Sequence, residues 1–254
     1  MKTAPISRIT GNILLLLLFF TSDLSLAQNS TRHHILIDIA HGQKFWNDPA
    51  RMAGLDKDFV ERIKYMTGEI TKSAASVGAD VTYATGKILP ELLNKYDLLF
   101  IHIPSSKYTA EEVKAIQEYL AKGGSLFFVM DADYWSTLEQ VNVNDIISTY
   151  GIKFGKNSPD SLSGGYTKAG PITKKPLKIT YHGARTVSGG TPFCFSNQSE
   201  KNPFGTFLKL PNGGKIVAMG DGMVSLYMTS WKDVNDYQCS AFMHDVFAWL
   251  MDQD

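Results

Sequence analysis

The chain has 254 residues, of which 44% are hydrophobic, and its 25 basic residues balance its 25 acidic ones. That length suits one domain of ordinary size with a full core. A formal net charge of zero with no basic block argues against nucleic acid as a partner.

Residues 1–27 read as a signal peptide. Lys2 and Arg8 precede an apolar core from Ile13 to Phe20, and Ser25-Leu26-Ala27 places small residues three and one before a cut after Ala27. The core is too short to span a bilayer comfortably, and no later run is long and apolar enough to do so. The expectation is a secreted or periplasmic protein formed by residues 28–254, with no membrane span once the leader is removed. Cys194 and Cys239 are the only cysteines. In an oxidising compartment they form either one disulfide or two buried thiols; their spacing is not that of metal ligands.

Ile35–Ala40 predicts a first strand, followed by a polar loop to Gly54. Residues 56–77 carry Phe59, Ile63, Met66, Ile70 and Ala74 at helical spacing and stop at Gly78. Asp80–Ala84 and Leu98–Ile103 are the second and third strands, the latter closed by Pro104. Thr109 and Glu112 form a capping box for a helix that turns Val113, Ile116, Tyr119 and Leu120 inward. The fourth strand, Leu126–Met130, ends on Asp131, and a helix weakened by Asn142 and Asn144 is expected over Ser136–Tyr150. Residues 151–211, rich in Gly, Ser, Thr, Lys and Pro, form an irregular β-rich insert in the same domain. Its strand candidates are Leu177–Tyr181, Pro192–Ser196 and Phe204–Leu210. A last strand, Lys215–Gly220, and a helix over Ser240–Met251 complete the chain. The alternation predicts an α/β fold: a doubly wound, mostly parallel, flavodoxin-like sheet flanked by helices.

Two stretches, Gly123–Trp135 and Gly213–Ser225, begin alike with Gly-Gly, run through an apolar strand and stop on an acid, Asp131 and Asp221. Ligands of open α/β sheets bind beyond the carboxyl ends of such strands. His41, Gln43, Phe45, Trp46 and Asn47 follow the first strand there; His102, Ser105 and Ser106 end the third; Asp133, Tyr134 and Trp135 follow Asp131; Ser225 follows Asp221. Amides, carboxylates and aromatic rings together suit a sugar, with polar groups for its hydroxyls and rings for its apolar face. The ligand-binding candidates are therefore His41, Gln43, Trp46, His102, Ser105, Asp131, Asp133, Trp135 and Asp221. Their bland alternative is that the rings cap the core and the acids accept backbone N–H bonds. Asp131 and Asp221 are also the candidates for an acid/base pair in glycoside hydrolysis. No metal site and no cofactor are expected, and His33-His34 are expected to be solvated ahead of the first strand.

Tyr96-Asp97-Leu98-Leu99-Phe100-Ile101, the Tyr108-Thr109 helix opening and Tyr119-Leu120-Ala121-Lys122-Gly123-Gly124-Ser125-Leu126 form one block. With Gly214–Asp221 and Phe247-Ala248-Trp249-Leu250, that block resembles the non-catalytic class I glutamine amidotransferase-like group, which includes GldG-type, ThuA-type and intraflagellar-transport-subunit domains. The resemblance covers about residues 34–135 and 212–251. It implies a catalytic cysteine after the fourth strand and a histidine after a later one in the active members. The matching positions here are Asp131-Ala132-Asp133 and Gly220-Asp221, so amidotransferase chemistry is not expected, because a carboxylate does not replace a thiolate nucleophile. The strand-end residues point to a glycan as the partner, and the GldG-like resemblance implies as an alternative a cell-envelope protein within an envelope assembly.

Overall fold

The apolar runs pair side by side in parallel, as continuous burial on both faces requires. The computed structural model describes residues 32–43, 49–50, 52–160, 164–181, 184–222 and 237–252. These lie within one compact unit, Arg32–Asp254. The proposed leader, Phe45, Trp46, Asn47, His182 and Ser225 lie outside the described residues.

Strands β1 (His33–Asp38), β2 (Ala79–Ala84), β3 (Leu98–His102) and β4 (Ser125–Val129) alternate with helices α1 (Lys57–Ala75), α2 (Pro90–Leu93) and α3 (Ala110–Ala121). Helix α4 (Val143–Ile147) runs into a 3-10 turn, and then come β5 (Lys153–Asn157), β6 (Gly165–Thr167), β7 (Lys178–Ile179), β8 (Arg185–Ser188), β9 (Thr191–Ser196), β10 (Gly205–Lys209) and β11 (Lys215–Met219). Helix α5 (Cys239–Met251) closes the described chain. The main sheet has nine strands in the order β2-β1-β3-β4-β11-β10-β9-β6-β7. The first five are mutually parallel, with Leu98 opposite Ser125 and Ser125 opposite Lys215.

Alternate strand residues feed two cores. Ile35, Phe100, Phe127, Val217 and Met219 pack with Met66, Ile70, Phe242 and Phe247 of α1 and α5. Leu36, Leu99, Phe128 and Ile216 pack with Ile116, Leu120 and Ile146 of α3 and α4. Two of the long helices on these faces, α1 and α3, start as their sequences dictate. Asp56 Oδ1 accepts from the N–H groups of Asp58 and Phe59 at 2.9 and 3.2 Å, and Thr109 and Glu112 complete the capping box.

The three strand candidates of the insert appear as β7, β9 and β10. The insert extends the main sheet through antiparallel β10, β9, β6 and β7, while β5 and β8 form a separate pair; the short strands β6 and β8 carry too little periodicity to be seen in sequence. Two expectations are corrected, for the helix after β4 and for His33-His34, and the open choice for the cysteines is closed. The helix over Ser136–Tyr150 shrinks to α4. Asn142 instead bonds the backbone N–H and carbonyl of Tyr108 at 2.9 and 3.0 Å, and Asn144 does the same to Phe154; such side chains compete with helical bonding. Cys194 and Cys239 are both buried and unbridged, the Cys239 sulfur lying 4.0 Å from Thr180 Oγ1. His33 and His34 sit inside β1 rather than ahead of it, with His34 Nδ1 2.7 Å from Asp80 Oδ1.

Candidate functional site

The carboxyl ends of β3, β4 and β11 are neighbours, so His102, Asp131 and Asp221 meet at one edge. Gly222 stitches the three strand ends together. Its N–H donates to Asp131 Oδ2 at 3.0 Å, and its carbonyl accepts from His102 Nε2 at 3.1 Å. A carbonyl only accepts, so Nε2 carries the imidazole proton. Burial pushes the His102 pKa down to about 4, keeping the ring neutral. A side chain at position 222 would collide with Ile103 and with Asp131 Oδ2, which explains the glycine. Ile103 itself holds a φ of 47°, a strained backbone for a β-branched residue at the very end of β3.

Asp131 is 4% exposed and Asp221 1%. The second oxygen of Asp131 accepts from Ala132 N–H at 2.6 Å. Burial, and then the neighbouring Asp221 charge, raise the Asp131 pKa well above the usual carboxylate range; the Ala132 and Gly222 N–H groups and the Arg185 charge oppose this without prevailing. Burial beside a second carboxylate disfavours the charged form of an acid in this way.

Arg185 enters from the insert and is 1% exposed. Its guanidinium pairs with Asp133 and donates to the carbonyls of Ser136 at 2.7 Å and Gly155 at 3.2 Å. Its backbone N–H donates to the Gly220 carbonyl at 2.9 Å, and Gly220 lies so close to the Arg185 backbone that no Cβ fits between them. The insert is therefore clamped onto the site. Nothing in the sequence pointed to Arg185, since a lone arginine in a polar stretch looks solvated.

His41 lies in a buried cluster at the end of β1. Its Nδ1 lies 2.8 Å from Asp38 Oδ2 and its Nε2 3.2 Å from Glu112 Oε1. Tyr108 stacks on the ring at 3.8 Å and donates its hydroxyl to Asp38 Oδ2 at 2.7 Å. The histidine thus clasps the end of β1 to the start of α3. Burial lowers the His41 pKa, but the bonds and charges of Asp38 and then Glu112 raise it further, so the net shift is upward. Glu112 is pushed up by burial and held below its ordinary value by the Thr109 and Ile88 N–H groups, the Thr109 hydroxyl and His41. Asp38, an acid inside an apolar strand, was the visible signal of this cluster.

The remaining candidates line the rim. The Ser105 and Ser106 N–H groups donate to the His41 carbonyl at 2.9 and 3.1 Å, and the Ser105 hydroxyl donates to the Gly42 carbonyl at 2.5 Å. Gln43 is buried beside them. On the turn after Asp131, Asp133 and Tyr134 are exposed while Trp135 is partly buried against the core. Tyr134 is 84% exposed and its ring meets Trp135 edge to face at 4.8 Å. Among the described residues, no cluster of three or more His, Cys, Asp or Glu is placed to hold a metal ion.

The comparisons agree on the architecture. The family model of the IFT52 GIFT domain matches residues 74–163. No curated protein matches the sequence. The structure is similar to the mmIFT52 N-terminal domain at a TM-score of 0.58 and 18% identity, over 87% of this chain and 98% of that one. It is also similar to the exo-beta-1,4-mannosidase Op5Man5 from Opitutaceae bacterium strain TAV5 at a TM-score of 0.52 and 12% identity, over 89% of this chain but 37% of the enzyme. A candidate GMP synthase protein from Thermoplasma acidophilum aligns at a TM-score of 0.50 and 11% identity, over 86% of this chain and 94% of that one. What this chain shares with these structures is the fold, a mostly parallel α/β sheet flanked by helices.

Proposed function

We propose that this chain is a non-catalytic amidotransferase-like domain, exported through its leader, that binds a carbohydrate or another polyhydroxylated ligand over the carboxyl ends of its parallel strands. The observation that carries the reading is the pair Asp131 and Tyr134. Where an active relative would present its nucleophile, Asp131 is buried with both oxygens held by backbone N–H groups. Three residues on, Tyr134 offers an open aromatic face. The acids then form the polar floor, the Asp133–Trp135 turn forms the wall, and the Arg185 clamp holds that wall in place. The mannosidase, which carries this fold as part of a larger chain, is consistent with a sugar-handling role.

Calorimetric titration with methyl glycosides tests the reading. Covering one face of Tyr134 contributes about 1 kcal/mol, so Tyr134→Ala should weaken binding about fivefold while leaving the melting temperature unchanged, because the ring is exposed. Unaltered binding by that variant removes the wall from the site. Amino-terminal sequencing checks the export half, with Gln28 expected first.

One observation favours a second reading. A buried carboxyl raised by a neighbouring carboxylate is also what a general acid requires, so a glycan hydrolase using Asp131 and Asp221 is the alternative.

A further inference from the structure

We infer that Gln43 is the residue that reads the ligand, its side-chain amide being held in reserve for a pair of adjacent hydroxyls; this rests on the carbohydrate reading above. Gln43 is 7% exposed, yet neither its amide oxygen nor its amide nitrogen has a hydrogen-bond partner among the described residues. Such a group is expensive to bury. Leaving a polar side chain dry and unpaired destabilises a fold, and most buried polar atoms are paired for that reason.

The position gives the waste a purpose. Gln43 directly follows His41 and Gly42, both tied to the loop after β3 through Ser105 and Ser106. The His41 clasp to Asp38 and Glu112 fixes the backbone from which the amide projects. Unspent polar atoms recur along this carboxyl edge: Ser136 Oγ and Arg185 Nε are also buried without a hydrogen-bond partner among the described residues. An unpaired amide on a backbone anchored by these bonds is suited to recognition by a ligand that supplies its partners.

The chemistry of the amide selects the ligand class. It places one acceptor beside one pair of donors. Two neighbouring hydroxyls, one donating and one accepting, match that edge with two parallel hydrogen bonds. A ligand bearing only a charged group matches half of it. A polyol with a vicinal diol therefore satisfies both atoms at once, and the absence of that pair leaves the site unpaired, which is how buried polar sites discriminate.

The test uses the full mature chain and the isosteric variant Gln43→Met. Removing a buried, unpaired amide while keeping its volume should raise the melting temperature by about 2–4 °C. In calorimetry with methyl mannoside, methyl galactoside, methyl glucoside and glycerol, the glycoside that wild type binds should lose at least about tenfold in affinity. A variant that melts below wild type shows that the fold itself uses the amide and overturns the inference. A more stable variant with unchanged glycoside affinity overturns it too, while leaving the carbohydrate reading standing. Wild type that binds none of the probes removes the carbohydrate reading and this inference with it.

Discussion

Asp131 and His41 are both buried polar residues at strand ends, and their partners set them apart. Both looked like ligand contacts in sequence. His41 spends both ring nitrogens on Asp38 and Glu112, so it is a clasp whose strength depends on pH. Its folded pKa lies above the ordinary 6.5; the stabilisation is complete below that value and is lost as pH rises through the raised one. Glu112 lies below its ordinary 4.5, so its share is complete above 4.5 and is lost as pH falls through the lowered value. The urea midpoint of the wild-type chain should therefore fall as pH climbs above neutrality. Asp131, whose pKa is raised, adds to the same downward slope by losing its favoured proton. His41→Gln separates the two: it removes the clasp and should flatten the profile above pH 6.5. An equally steep profile in that variant assigns the slope elsewhere. His41→Ala, which leaves two buried acids facing a void, should destabilise by about 3–5 kcal/mol.

At the scale of elements, the parallel strands and the helix caps were legible because their signals are local. Five-residue runs such as Leu98–His102 are buried throughout, and Thr109 with Glu112 marked the start of α3 to the residue. The partnership of β1 with β3, and the docking of the insert through Gly220 and Arg185, depend on contacts distant in sequence, which no local pattern encodes. The end of α5 is a further case. Its last carbonyls, at Trp249 and Leu250, accept from Lys215 Nζ at 2.9 Å and Ser125 Oγ at 2.7 Å. The Lys215 ammonium also donates to the Asp252 carbonyl and lies 5.5 Å from the centre of the Trp249 ring. A lysine opening a buried strand thus caps a helix packed against the sheet, where the negative end of the dipole favours a cation. Lys215→Met keeps the stem and strands the carbonyls. It should lower unfolding free energy by about 2–3 kcal/mol with an unchanged denaturant slope. A loss below about 0.5 kcal/mol, the range of an ordinary surface change, would show that the cap is made elsewhere.

Across the whole molecule, the fold class was readable from the order of strands and helices, and the candidate site was suggested by two apolar strands that end in acids. The distribution of roles within the site was not. Asp131, Asp221 and Gly222 converge because β3, β4 and β11 are adjacent, and that adjacency crosses the insert. Arg185 and the unpaired Gln43 amide acquire meaning only through burial, which a sequence does not display. The central proposal is that the carboxyl edge of this sheet binds a glycan without turning it over. The most direct measurement is calorimetric titration of the mature wild-type chain with a glycan panel, run beside nitrophenol release from the matching nitrophenyl glycosides. Saturable binding heat with no release is the expected result. Release that Asp131→Asn or Asp221→Asn abolishes, or no heat with any glycan, would contradict it.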